Sequence, residues 1–290
     1  MLSSMNLPPA ASRTMDLDCY FERIGFDGTP TPTASTLWAL AHRHATSIPF
    51  ENLAVIAHGA PALDAAAVQD KLVTQRRGGY CYEQNTLLQQ ALVAIGFDVT
   101  GLSARVRYGL APEVPRPRSH MVLLVRLDDG PVLVDAGFGG LTLTAPVRLD
   151  VDGEQATPHE PVRIVREQGD FLLQARVGDE WRDVYRFDLS VQLAEDYVQQ
   201  NWHTATRPDA LFANNVVVAR PGTGGRHTLF NRTLTWRPLG GEAERKVLAD
   251  AQSLREVLHD VFGLCVPAHE LELAWDASGR GAVSSAMFSG

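Results

Sequence analysis

The chain has 290 residues, 45% of them hydrophobic, and a formal net charge of −8, enough for a sizeable core divided among two or three packed modules. The acidic balance and the lack of any Lys/Arg cluster interleaved with aromatics argue against nucleic-acid and membrane-surface binding. No 18-residue apolar run exists to span a bilayer. Cys19, Cys81 and Cys265 form no CxxC pair and no dense framework, which suits a reducing compartment and a cytoplasmic protein.

Residues before Asp16 read as a disordered leader, with Pro8-Pro9 and small polar residues but no secretory pattern. A short amphipathic helix is predicted over Asp18 to Ile24, stopped by Gly25. Thr33 is placed to cap a second helix carrying Leu37, Leu40 and Ala41, ending near Thr46. Asp64 is placed to cap a third, carrying Val68, Leu72 and Val73.

That third helix leads into Arg77-Gly78-Gly79-Tyr80-Cys81-Tyr82-Glu83-Gln84-Asn85, after which Leu87, Leu88, Ala91, Leu92 and Ile95 recur at helical spacing up to Gly96. Cys81 therefore falls in the first turn of a buried helix. Unpaired backbone N–H groups and the positive end of the helix dipole there favour a thiolate over a thiol. The two glycines remove Cβ atoms from a sharp turn and allow close approach to the backbone. Against this stands the ordinary reading, since most lone cysteines are small core hydrophobes.

From Phe97 the period changes. Val99 to Val106 alternate imperfectly, Met121–Val125 and Val132–Val134 are short apolar runs separated by Asp128-Asp129-Gly130, and Val162–Val165 and Phe171–Leu173 continue the theme. Residues 97–190 are thus expected to form an antiparallel barrel or strongly curved sheet. In the last third, Asn215–Val218 and Thr228–Phe230 flank Gly222–Gly225 as a hairpin. Ser253 is placed to cap a last helix through Phe262. The glycine cluster is no phosphate loop, because no Gly-Lys-Ser/Thr follows it. The expected fold class is α+β, in three parts: a helical bundle at 1–96, a barrel at 97–190 and a C-terminal α/β lid at 191–290.

The nonapeptide, read with Ser47-Ile48-Pro49-Phe50-Glu51-Asn52-Leu53, His120, Asp135-Ala136-Gly137-Phe138-Gly139, Asn201-Trp202 and Phe262-Gly263-Leu264, resembles the arylamine N-acetyltransferases. The resemblance implies a Cys81–His120–Asp135 triad on a cysteine-protease-like core, with no departure at those positions. It implies that Phe50, Tyr82 and Phe138 line an acceptor pocket, that Gly139 leaves room for the acyl donor, and that Glu51 and Arg77 pair beside the nucleophile. It also implies acetyl-CoA as co-substrate with no permanently bound cofactor and no metal, and a small aromatic amine or hydrazine as acceptor. A homo-oligomer is compatible with this reading. Amide synthases of aromatic polyketide assembly and cysteine-dependent hydrolases share the same order of residues and remain alternatives, as does a binding module with an inert cysteine.

One geometric conflict stands in the sequence. A tight turn at Asp129-Gly130 would put His120 opposite Gly139 and leave Asp135 four residues, roughly 14 Å, from His120's partner. A bulge, a hairpin centred nearer Leu127-Asp128, or unpaired strands would each remove it.

Overall fold

The computed structural model describes residues 15–111 and 113–280; the expected leader falls, up to residue 14, outside them. Helix α1, Leu17–Ile24, begins at Asp16, whose Oδ1 accepts the Cys19 N–H at 3.0 Å, and ends at Gly25, which supplies the left-handed φ of 67°. Thr33 caps α2, Ala34–Ser47. A two-residue strand β1, Phe50–Glu51, and a short helix α3, Leu53–His58, follow. Neither stands out from periodicity. Asp64 caps α4, Ala65–Gln69, which widens into a π-turn over Asp70–Thr74 before the glycine pair. Helix α5, Cys81–Ile95, then buries Leu87, Leu88, Ala91 and Leu92 completely and stops at Gly96, φ 105°. Each of those leucines contributes about 1.5–3 kcal/mol by leaving water.

Seven antiparallel strands come next: β2 (Asp98–Val106), β3 (His120–Leu127), β4 (Gly130–Val134), β5 (Val147–Arg148), β6 (Val162–Glu167), β7 (Asp170–Val177) and β8 (Glu180–Phe187). Their order is β5-β4-β3-β2-β8-β7-β6, a nearly closed barrel whose edges are β5 and β6. Gln155 stitches those edges. Its backbone pairs with Val162, and its side-chain amide exchanges two 2.9 Å hydrogen bonds with the backbone of Arg148. Strand β3 is buried on both faces: Met121, Leu123 and Val125 pack with the helices, while Val122 and Leu124 point into the barrel. That explains an apolar run without alternation.

The β3–β4 turn resolves the register conflict. Leu127, not Asp128, is the last paired residue, opposite Gly130, so the turn is Asp128-Asp129 and Gly130 closes it with φ 124°. Moving the turn back by one residue shifts every partner by two. Continued outward, the register sets Asp135 opposite Val122, on His120's face and two residues from it, about 7 Å along the strand. Two side chains span that gap.

In the last third, α6 (Ala194–Thr206) and α7 (Leu211–Asn214) precede strands β9 (Val217–Gly222), β10 (Gly225–Phe230), β11 (Thr233–Pro238) and β12 (Glu244–Val247). Strands β9 and β10 form the expected hairpin, Gly222 opposite Gly225. The sheet is larger than expected, ordered β1-β9-β10-β11-β12, with β1 from the N-terminal segment at its edge. Asn52 fastens that union: Nδ2 donates to the Phe212 and Asn215 carbonyls, both at 2.7 Å, and Oδ1 accepts from Val217 N–H at 2.8 Å. Helix α8, Ala251–Asp260, is capped by Asp250 rather than Ser253; Ser253 donates its N–H to Asp250 Oδ1 at 2.8 Å. It is also not the last helix, because α9, Ala268–Ser278, follows and packs on α3.

Candidate active site

Cys81 is the first residue of α5, and the loop before it is held from two sides. Glu83 Oε2 accepts the Tyr80 N–H at 3.1 Å, while its Oε1 takes Lys71 Nζ at 2.6 Å. Gly79 is zipped to the 49–51 segment through its carbonyl, which accepts from Glu51 N–H at 3.1 Å. Neither Gly78 nor Gly79 has a left-handed φ. What excludes a side chain is contact: a Cβ on Gly78 would lie 2.2 Å from the Pro49 carbonyl oxygen, and one on Gly79 would lie 2.8 Å from Glu83. The close approach the glycines permit is thus to the protein's own chain.

Behind the loop, Gln84 Nε2 donates to the carbonyls of Pro49 (2.8 Å) and Gly79 (3.2 Å), which leaves Oε1 to accept from His44 Nε2 at 2.8 Å. His44 must then carry its proton on Nε2 and accept from the Tyr20 hydroxyl at Nδ1. Burial pushes His44 down to about 4, so it is neutral.

His120 Nε2 lies 2.7 Å from Asp135 Oδ2, and both residues are buried. Burial by itself would lower the His120 pKa. The Asp135 charge and hydrogen bond, followed by the Cys81 sulfur, outweigh it and hold the imidazole up to about 10. Burial likewise works against the Asp135 carboxylate, but the His120 charge and the hydrogen bonds from His120, Asn85 and Gly137 keep it below its usual range. Asp135 Oδ1 accepts from Asn85 Nδ2 at 2.9 Å and Gly137 N–H at 2.8 Å. Asn85 in turn donates to the Met121 carbonyl at 2.7 Å and accepts the Ala136 N–H at 3.0 Å. The His120 ring meets Phe138 edge-on at 5.2 Å and Tyr185 at 5.0 Å between centroids. Gly137 lets this strand end lie against the nucleophile, since a Cβ there would sit 2.7 Å from Cys81 Cα.

Cys81 and His120 face one cavity of about 470 Å³, with Phe50, Phe138, Tyr108 and Leu141 among its walls. Two of the residues expected to shape it sit elsewhere. Tyr82 is wholly buried, its ring 5.4 Å from Tyr80 and 6.2 Å from Tyr197. A residue one step beyond the nucleophile on a helix points about 100° away from it. Gly139 does not reach the cavity wall; it donates its N–H to Thr142 Oγ1 and leaves room for the Phe50 ring, 3.5 Å from where its Cβ would be. Glu51 and Arg77 do pair, at 3.0 Å, and Glu270 joins them from α9. Asn85, Gln84 and Tyr185 escaped the sequence reading. Asn85 and Gln84 lie inside the nonapeptide, and polar residues on the apolar stripe of a buried helix were the signal that could have found them.

Comparison with known proteins shows what the chain as a whole is similar to. A family model described as N-acetyltransferase matches residues 33–271. The arylamine N-acetyltransferase of Escherichia coli (strain K12) is 41% identical over 251 residues, 86% of this chain and 89% of that protein. The arylamine N-acetyltransferase of Mycolicibacterium smegmatis is 40% identical over 255 residues, 86% of this chain and 92% of that one. Among solved structures, the Mycobacterium marinum arylamine N-acetyltransferase in complex with CoA aligns with a TM-score of 0.86 at 36% identity, covering 90% of this chain and 98% of that one. No helix among the described residues is long and apolar enough to cross a membrane. With sequence and fold matching over most of both partners' lengths, this chain belongs to the arylamine N-acetyltransferase family and is an acyltransferase.

Proposed function

We propose that the chain transfers an acetyl group from acetyl-CoA to the nitrogen of an arylamine or arylhydrazine through an acetyl-Cys81 intermediate. The observation that carries this reading is a nearly solvent-free sulfur at the first turn of α5, sharing its cavity with an imidazole that is hydrogen-bonded at 2.7 Å to a buried carboxylate. His120, held protonated at neutral pH by Asp135, favours the anionic sulfur beside it. That sulfur attacks the thioester carbonyl, and the carbon–sulfur bond to coenzyme A breaks with the departing thiolate taking the His120 proton. The aryl nitrogen then attacks acetyl-Cys81, gives its proton to His120, and leaves as the amide while the Cys81 thiolate is restored. Ping-pong kinetics follow.

Backbone N–H groups in the first turn of α5 have no intrahelical acceptors and are suited to hold the oxyanion of each tetrahedral intermediate. Phe50 and Phe138 offer flat apolar walls to an aromatic acceptor, whose weakly basic nitrogen is unprotonated at neutral pH. The CoA-bound relative supports acetyl-CoA as donor. In this reading residues 1–96 bring the nucleophile, 97–190 the base and its carboxylate, and 191–290 a wall of the cleft.

Incubation with acetyl-CoA alone, followed by intact-mass measurement, tests the proposal. One acetyl adduct on the native chain, absent from Cys81→Ala and discharged by an added arylamine, is expected. An adduct that persists in Cys81→Ala overturns it, and an adduct discharged at the same rate by water alone points to a hydrolase.

A further inference from the structure

Arg77 is buried between two carboxylates: its Nη2 is 3.0 Å from Glu51 Oε1 and 2.9 Å from Glu270 Oε2. Side-chain exposures of 7% for Arg77, 0% for Glu51 and 8% for Glu270 leave little water to screen them. Lys71 adds its charge to that of Arg77 on Glu51, so the guanidinium is shared and the buried Glu270 carboxylate gains from a further cation beside it. The groups beside the outer oxygen of Glu270 are His58 and His269. His58 Nε2 is 3.4 Å from Glu270 Oε1, although the two residues are 212 positions apart, and the two imidazole rings are 5.8 Å apart between centroids. One donor atom from each of His58, His269 and Glu270 lies within 4.8 Å of the others.

We propose that His58, His269 and Glu270 form a site for a divalent transition-metal ion, zinc by the character of its donors, which clamps α3 to α9. Four donors placed tetrahedrally about 2.0–2.1 Å from zinc are about 3.3–3.4 Å from one another. The His58–Glu270 separation of 3.4 Å already has that value. Both imidazoles are exposed, which leaves His269, with its donor already within 4.8 Å of the other two, free to turn toward them. Two nitrogens and one carboxylate oxygen suit zinc, whereas magnesium and calcium call for oxygen donors throughout. Glu270 would bind through Oε1 while Oε2 stays on Arg77, an outer partner that fixes the carboxylate's orientation. His58 ends α3, where the helix dipole favours a cation.

None of the three residues lines the Cys81 cavity, so the ion is structural. It fastens the segment after β1 to the last described helix and, through Arg77, braces the loop that begins Gly78-Gly79. Sequence spacing assigned no metal here, because the ligands come from two helices at opposite ends of the chain.

The test is cobalt and zinc titration of the full chain prepared without a histidine tag. One cobalt per chain is expected, with visible ligand-field bands and without the near-ultraviolet charge-transfer band that a thiolate adds. Affinity should fall at least about tenfold in His58→Ala and in His269→Ala. Zinc should raise the thermal midpoint of the native chain and not that of the doubly substituted one. Binding that survives both replacements, a thiolate band abolished by replacing Cys19, Cys81 and Cys265 with serine, or no stoichiometric binding at millimolar metal would each overturn the proposal.

Discussion

Asn85 offers the sharpest test of how the carboxylate beneath His120 is held. Its side chain is wholly buried and makes three hydrogen bonds, to Asp135 Oδ1 (2.9 Å), the Met121 carbonyl (2.7 Å) and the Ala136 N–H (3.0 Å). Replacing it with alanine orphans the Ala136 donor, at about 1–3 kcal/mol, and removes a charge-assisted bond worth about 1.5–3 kcal/mol. The combined loss is about 2.5–6 kcal/mol, less than the roughly 10 kcal/mol of a domain in the middle of the ordinary range, so the variant folds at room temperature. Asp135 keeps His120 and the Gly137 N–H but can rotate, and a displacement of about 1 Å lowers kcat/KM by about a hundredfold.

Urea unfolding and steady-state acetyl transfer measure the two effects separately. Asn85→Asp discriminates further: it preserves shape and the acceptor for Ala136 but places a second carboxylate against Asp135, so one of the two must hold a proton. Its activity relative to the native chain should recover as pH falls, while that of Asn85→Ala should not. Native kcat/KM in Asn85→Ala, alongside the expected stability loss, would refute an orienting role. Native behaviour in both assays would refute the hydrogen-bond argument altogether.

Two other outcomes follow from the same site. The raised His120 contributes stability that is complete below its ordinary value of 6.5 and is lost as pH climbs towards about 10; the lowered Asp135 contributes above 3.8 and loses its share as pH falls through its depressed value. The urea-stability gap between the native chain and Asp135→Asn should therefore be widest between those limits and narrow from pH 6.5 to 10, and a constant gap over that range would contradict the pairing. In Gly137→Ala, the new Cβ at 2.7 Å from Cys81 Cα and 3.0 Å from Asn85 Nδ2 should cost about 1–3 kcal/mol and slow acetyl-adduct formation, which denaturation and intact-mass time courses would report; unchanged values of both would show that the strand end is free to move.

The elements that were legible in the residues are those whose causes lie within one helical turn. Asp16, Thr33 and Asp64 each accept a backbone N–H three residues on, and Gly25 and Gly96 supply the left-handed conformations that end α1 and α5. Strands β2, β3, β4, β6 and β7 were visible as apolar or alternating runs, whereas β5 and β8 carry no such run and were not singled out. Ser253 was misread for a related reason: Asp250 and Ser253 both have capping side chains, and the choice depends on which of them leaves the helix.

The sequence alone thus determined that a cysteine would stand at the start of a buried helix, with a histidine and a carboxylate on later strands, because caps, glycines and periodicity act over three or four residues. Only the tertiary structure decided that they meet. The β3–β4 turn had to fall one residue earlier than its Asp-Gly pair suggested, and because the resulting two-residue shift of partners keeps every side chain on its face, the apolar pattern does not choose between the two registers. The union of β1 with β9, the sharing of Arg77 by Glu51 and Glu270, and the removal of Tyr82 to the core are decisions of packing. Contacts between segments some 160 residues apart, such as Asn52 with Asn215, leave no local pattern because they exist only once both surfaces have left water.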